Sequence, residues 1–158
     1  MSLNIVQTAY GKVSGCPLEG AYEGITLFKG IPYAAPPVGE LRWAPPKKPE
    51  AWEGIRPCTQ YGPAPIQLFV DTKAGSVIWN MREFYLDPFP PMSEDCLYLN
   101  VCTGASKAGE KRPVYVWNHG GGLVNGFSYE MQFDPSEMAK RGVVVVQVGP
   151  RLNAFGYI

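Results

Sequence analysis

Residues 114–126 read VYVWNHGGGLVNG, an apolar, β-prone run that passes directly into one histidine and three successive glycines. Glycine reaches backbone conformations closed to other residues, and it lets a ligand come close to main-chain N–H groups. Such a stretch at the end of a strand has three physical uses. It can cradle a phosphate at a helix start. It can form an oxyanion hole, whose fixed N–H donors stabilise charge developing on a carbonyl oxygen during acyl transfer. Or it can make a tight turn in which glycine only avoids a clash. The phosphate reading fails on spacing: Asn125 stands where G-x-G-x-x-G needs its third glycine, and no acidic residue ends the run at 143–148 to hold a ribose. On the tripeptide alone, turn and oxyanion hole both stay open.

Working outward, FDPSEMAKRG predicts a short helix over about 135–141. Asp134 serves as N-cap, Pro135 fits the first helical position, Glu137 completes a capping-box-like pair and Gly142 ends the helix. VVVVQV at 143–148 is apolar at consecutive positions, the pattern of a strand covered on both faces of a parallel sheet. Strand 114–118, helix and strand 143–148 thus form a right-handed βαβ unit, and the fold class is α/β. LYLNVC at 97–102 and VYVWN are joined by TGASKAGEKRP, a polar loop suited to a hairpin, so these two strands are expected to pair antiparallel. The same loop resembles a phosphate loop only faintly, because Glu110 stands where a lysine is required.

The first third of the chain is dense in Gly and Pro with short β-prone runs, IVQTAYGKVSG and ITLFKGIPYA. Residues 57–92 lack sustained periodicity and read as a long irregular loop, which in a compact domain is more often functional than idle. Its aromatics Trp79, Phe84, Tyr85 and Phe89 either line a gorge over the site or pack the loop onto the sheet. Strand 143–148 poses a separate problem. Only GPRLNAFGYI follows it, too short for a crossover helix and a further parallel strand. A partner strand from outside the chain is therefore expected; without one, 143–148 is an aggregation-prone edge. On this reading residues 1–158 are the N-terminal portion of a single larger catalytic domain.

Composition narrows the partner. With 46% hydrophobic and 18% charged residues the chain has material for a core, and 14 basic residues offset 14 acidic ones. No basic run exceeds two residues, which argues against nucleic acid or an anionic membrane and for a small, largely uncharged ligand. No apolar segment approaches a membrane span and MSLNIVQTAYGK lacks a signal-peptide pattern, so a cytoplasmic location is expected. The four cysteines, Cys16, Cys58, Cys96 and Cys102, lack metal spacing, and with a single histidine no metal or organic cofactor is expected.

Four motifs then combine. FKGIPYAAPPVGELRWAPP at 28–46, SEDCLYLNV at 93–101, NHGGGLVNG at 118–126 and VVVVQVGPRLNAFGYI at 143–158 occur in the order and approximate spacing of the type-B carboxylesterases. The chain resembles this cholinesterase-like branch of the α/β hydrolases over nearly its whole length. The resemblance implies a serine hydrolase acting on carboxylic esters through an acyl-enzyme, in which Gly121 and Gly122 offer backbone N–H groups to the oxyanion. It implies that His119 shapes the loop and is not the base. None of the seven serines lies in G-x-S-x-G and no second histidine exists, so nucleophile, acid and base are expected from a second polypeptide or an uncleaved parent chain. The alternative is a non-catalytic cholinesterase-like interaction protein or an inactive fragment.

The departures from the family pattern are specific. GPAPIQ lacks the cysteine that often pairs with the cysteine of SEDC, which leaves Cys96 a free thiol unless Cys58 reaches it. Leu123 replaces the usual Phe after the glycines, and Gly149-Pro150 replace the usual Asn-Tyr before Arg151, whose carboxylate partner is expected outside the chain. Arg42 and Glu94 resemble a buried ion pair of the family that ties the early turn region to the strand at 97–102.

Overall fold

The computed structural model describes residues 3–68 and 89–157. Among the described residues ten short strands and two short helices follow in chain order: β1 (Ile5–Gln7), β2 (Lys12–Ser14), β3 (Cys16–Pro17), β4 (Thr26–Pro32), β5 (Ile55–Pro57), β6 (Ala64–Pro65), β7 (Met92–Ser93), β8 (Tyr98–Thr103), β9 (Val114–Asn118), α1 (Ser136–Lys140), β10 (Val144–Val148) and α2 (Asn153–Gly156). Five of the strands build the principal sheet in the order β3-β4-β8-β10-β9. A smaller sheet, β1-β2-β5, and the β6-β7 pair flank it.

The valine run takes an interior place, as its composition demands, but with partners other than those expected. β10 pairs antiparallel with β8, Val146 opposite Val101, and parallel with β9, Val146 opposite Val116. The parallel pair and α1 make the βαβ unit. The antiparallel β8-β9 hairpin does not form, because β10 inserts between them. The polar loop after β8 simply spans two strand spacings, about 10 Å. The expected unpaired edge is likewise not β10, whose two edges are both taken within the chain. It is β9, whose Val114, Tyr115 and Val116 are 61%, 41% and 58% exposed.

Both faces of the sheet centre are covered. On one, Ile25, Leu27, Cys102, Ala139 and Val145 bury together beneath α1. On the other, Val13, Phe28 and Cys58 pack with Val6, Ile31, Trp52 and Val101 against the small sheet. Full burial of each large aliphatic or aromatic contributes roughly 1.5–3 kcal/mol. A register shift between Phe28 and Ile31 marks a bulge in β4, where Gly30 (φ +67°) turns its N–H to Asn100 Oδ1 at 3.0 Å. A side chain at Gly30 would collide with the Gln60 carbonyl.

Helix α1 begins close to the expected place. Asp134 Oδ1 accepts from Ser136 N at 2.9 Å, with Pro135 in helical geometry between them. Glu137 does not reach back to complete a capping box; its carboxylate accepts the Tyr22 hydroxyl. Gly142 (φ +94°) ends the helix, donating to Ala139 O, while Val143 N closes on Met138 O.

Candidate oxyanion loop

β9 ends at Asn118, and the chain then turns through residues 119–126 before Phe127 drops into the core at 1% exposure. The turn needs its glycines for different reasons. Gly121 sits at φ +116°, and a Cβ there would run into the Asn125 backbone. Gly122 sits at φ +61° with open space where a Cβ would go. Gly121 O accepts from both Val124 N (3.1 Å) and Asn125 N (3.2 Å), which closes the turn. Among the described residues, the N–H groups of Gly121 and Gly122 donate to nothing, and both glycines are exposed. Backbone donors left unspent next to a rigid strand end are the raw material of an anion-stabilising site.

His119 belongs to the frame of this loop. Its Nδ1 lies 2.7 Å from Gly120 O, so Nδ1 carries the proton and donates to the carbonyl. Nε2 is buried, and among the described residues it has no partner and no serine hydroxyl bonds to the ring. Beside it, Glu130 is 7% exposed, and its Oε1 accepts from Phe127 N at 3.3 Å. Burial raises the Glu130 pKa above the usual carboxylate range, only partly opposed by the Phe127 N–H, Gln132 and His119.

Two segments distant in sequence fix the loop from behind. Gln67, 8% exposed, exchanges two hydrogen bonds with Gly126, and Asn153 N donates to Leu123 O at 2.7 Å. Neither Gln67 nor Asn153 stands out in the sequence as a site residue, because a side-chain amide has no periodicity to betray its partner. Gly149 lies under this region. Its N donates to Tyr98 O at 2.9 Å, and a Cβ would come within 3.0 Å of the same oxygen, so glycine fits the position occupied by Asn in the family pattern. Arg151 Nη2 donates to Ala44 O, and its Nη1 is buried without a partner among the described residues.

The remaining expected groups fall as follows. Arg42 and Glu94 form a bidentate pair, with Nε–Oε2 and Nη2–Oε1 both at 2.6 Å. The pair is not buried as expected: the side chains are 40% and 23% exposed, and the neighbouring Trp43, itself 59% exposed, does not cover them. All four cysteines are free, and burial pushes the Cys96 and Cys102 thiols up to about 12, so neither supplies a thiolate at neutral pH. Phe89 meets Phe127 edge-on at 5.4 Å, which packs its part of the long loop onto the core. Trp79, Phe84 and Tyr85 lie outside the described residues. Among the described residues no cluster of His, Cys, Asp and Glu offers a metal site, and no helix is long and apolar enough to cross a membrane.

A five-stranded mixed sheet with a βαβ unit, and a glycine turn at the carboxyl end of its parallel strand, define the N-terminal part of an α/β-hydrolase fold. Solved structures agree. A thermophilic p-nitrobenzyl esterase superposes with a TM-score of 0.80 at 39% identity, covering 98% of this chain and 29% of that one. A carboxylesterase of Geobacillus stearothermophilus superposes with a TM-score of 0.79 at 37% identity, over 98% and 28%. The profile of the carboxylesterase family matches residues 2–158, and the chain belongs to that family. Its relatives include a medium-chain fatty acyl-CoA hydrolase precursor of Anas platyrhynchos, 41% identical over 96% of this chain. The para-nitrobenzyl esterase of Bacillus subtilis is 38% identical over 100% of it. The chain spans 27% and 29% of the length of these two relatives.

Proposed function

We propose that this chain supplies the oxyanion-binding loop of a carboxylic ester hydrolase that works through an acyl-serine intermediate. The observation that carries the reading is the pair of unspent, solvent-facing N–H groups on Gly121 and Gly122, held at positive φ directly after β9. In such a site the ester carbonyl is attacked by a serine, and two fixed donors take up the negative charge that forms on oxygen. Each donor of this kind is worth on the order of 10²–10³ in kcat. Serine, acid and base lie in the rest of the α/β-hydrolase domain, carried either by the same longer polypeptide or by a second one. Names of relatives point to uncharged aryl or alkyl esters and to acyl thioesters as the substrate class. The chemistry requires no metal or organic cofactor, and the reading takes the protein as cytoplasmic with no nucleic-acid or membrane partner.

The test is hydrolysis of p-nitrophenyl butyrate by the native polypeptide and by its Gly121→Ala variant. A Cβ at this position pushes the turn away from Asn125, so kcat is expected to fall about 10²–10³-fold while KM changes little. An inactive native protein, or a variant with unchanged kcat, would contradict the proposal.

A further inference from the structure

Resting on the esterase reading above, we infer that Gln67 and Asn153 are positioning residues that clamp the glycine turn, Gln67 through its side-chain amide and Asn153 through its backbone N–H, and set the direction of the Gly121 and Gly122 N–H groups. The Gln67 amide is fully used. Its Oε1 accepts from Gly126 N at 2.7 Å, and its Nε2 donates to Gly126 O at 2.9 Å and to Pro65 O at 3.1 Å. Gly126 is a point of leverage on the whole loop. At φ +107° it lies so close to the start of the turn that a Cβ would stand 2.5 Å from His119 Nδ1 and 2.8 Å from Gly120 O. Holding Gly126 therefore holds both ends of the arc at once.

Asn153 acts on the other side. Its backbone N–H donates to Leu123 O at 2.7 Å, and its Nδ2 donates to Ile66 O at 2.6 Å. Gln67 directly and Asn153 as a bridge thus tie the loop to the same short segment, residues 65–67, at the end of β6. Asn153 adopts φ +47°, a left-handed conformation that asparagine tolerates better than most residues, and Leu123 adopts φ +66°, which an aliphatic side chain resists. A leucine stays in that conformation only where its surroundings impose it, and the Asn153 bond to Leu123 O joins the Gly121 O bonds from Val124 N and Asn125 N in holding the turn there. Gly121 and Gly122 lie between Leu123, held by Asn153, and Gly120, against which the held Gly126 packs. Their donors are useful only if aimed, since a displacement of about 1 Å at a reacting centre costs on the order of 10²-fold in rate.

Three variants of the native polypeptide separate positioning from mere structure. Gln67→Met is close in shape and removes all three amide bonds. Gln67→Glu keeps the acceptor for Gly126 N and loses both donors. Asn153→Gly accepts the left-handed backbone and its bond to Leu123, and removes the link to Ile66 together with the long 3.4 Å bond that Asn153 Oδ1 accepts from Phe155 N. With p-nitrophenyl butyrate, kcat is expected to drop about 10- to 100-fold in Gln67→Met, less in Gln67→Glu and about 3- to 10-fold in Asn153→Gly, with KM held within about threefold. Amide hydrogen exchange is expected to quicken in peptides covering residues 119–126 and to stay unchanged in β8 and β10. Should Gln67→Met fail to fold, Asn153→Gly decides. Unchanged kcat and loop exchange in the folded variants overturn the clamp, as does exchange that quickens uniformly across the sheet. A native polypeptide that hydrolyses no ester removes the esterase reading alone, and the exchange pattern then decides the clamp by itself.

Discussion

The two glycines that face the proposed oxyanion are not equivalent, and substitution distinguishes them. At Gly121 a methyl group meets the Asn125 backbone, which cannot yield without opening the turn. At Gly122 it meets open space and only the left-handed φ is unfavourable, at roughly 1–2 kcal/mol. Gly121→Ala should therefore lower the thermal midpoint by several degrees more than Gly122→Ala, a difference that calorimetry reads directly. Three glycines at a strand end are a local signal that leaves a turn and a site both open, and only the family resemblance favours the site. The residues that hold the run give no such signal. Gln67 acts on Gly126 across 59 positions, and only the folded chain brings them together. The Arg42–Glu94 pair shows the converse. Its existence follows from the family resemblance, but its burial does not: the side chains stay 40% and 23% exposed even though Cys96 and Leu97 beside Glu94 are buried.

Among the elements, β10 shows how far a pattern reaches. Consecutive valines announced a strand with both edges paired, and it has both edges paired. The partner strand expected from outside the chain is β8 of the chain itself, because β10 inserts where a local β8-β9 hairpin is expected. The loop after β8 has its own lock. The Glu110 carboxylate accepts from Arg112 Nε (2.8 Å), Ser106 Oγ (2.8 Å), Ser106 N (2.9 Å) and Lys107 N (3.1 Å). Chiefly through Arg112, these bonds hold its pKa at about 2 against an ordinary 4.5. A depressed folded-state pKa means that the contribution to stability is complete above pH 4.5 and is lost as pH falls toward 2. Thermal midpoints of native protein and Glu110→Gln should accordingly differ at pH 6 and converge near pH 2. A constant difference across that range would show that the carboxylate bonds are not the cause.

For the molecule as a whole, the parallel strand that delivers the glycine turn is also the one whose outer edge is open among the described residues. Val114 and Val116 are each more than half exposed there, on a chain that spans under a third of its relatives' length. An apolar open edge invites association with other strands. Val116→Lys in the isolated 158-residue chain should shift light-scattering mass toward the 17.4 kDa monomer relative to the unsubstituted chain. Fold class and the βαβ unit were readable from spacing and composition, since both depend on periodicities within a few residues. The identity of the exposed edge was not, because it depends on which strand the valine run displaces. The central claim, that Gly121 and Gly122 bind an oxyanion, is tested most directly by the ¹H–¹⁵N resonances of these two glycines as the native polypeptide binds a trifluoromethyl ketone. Such an inhibitor leaves a charged oxygen where the tetrahedral intermediate would carry one. Both amide protons should move downfield together as the adduct forms; a saturated inhibitor with both resonances in place would contradict the account.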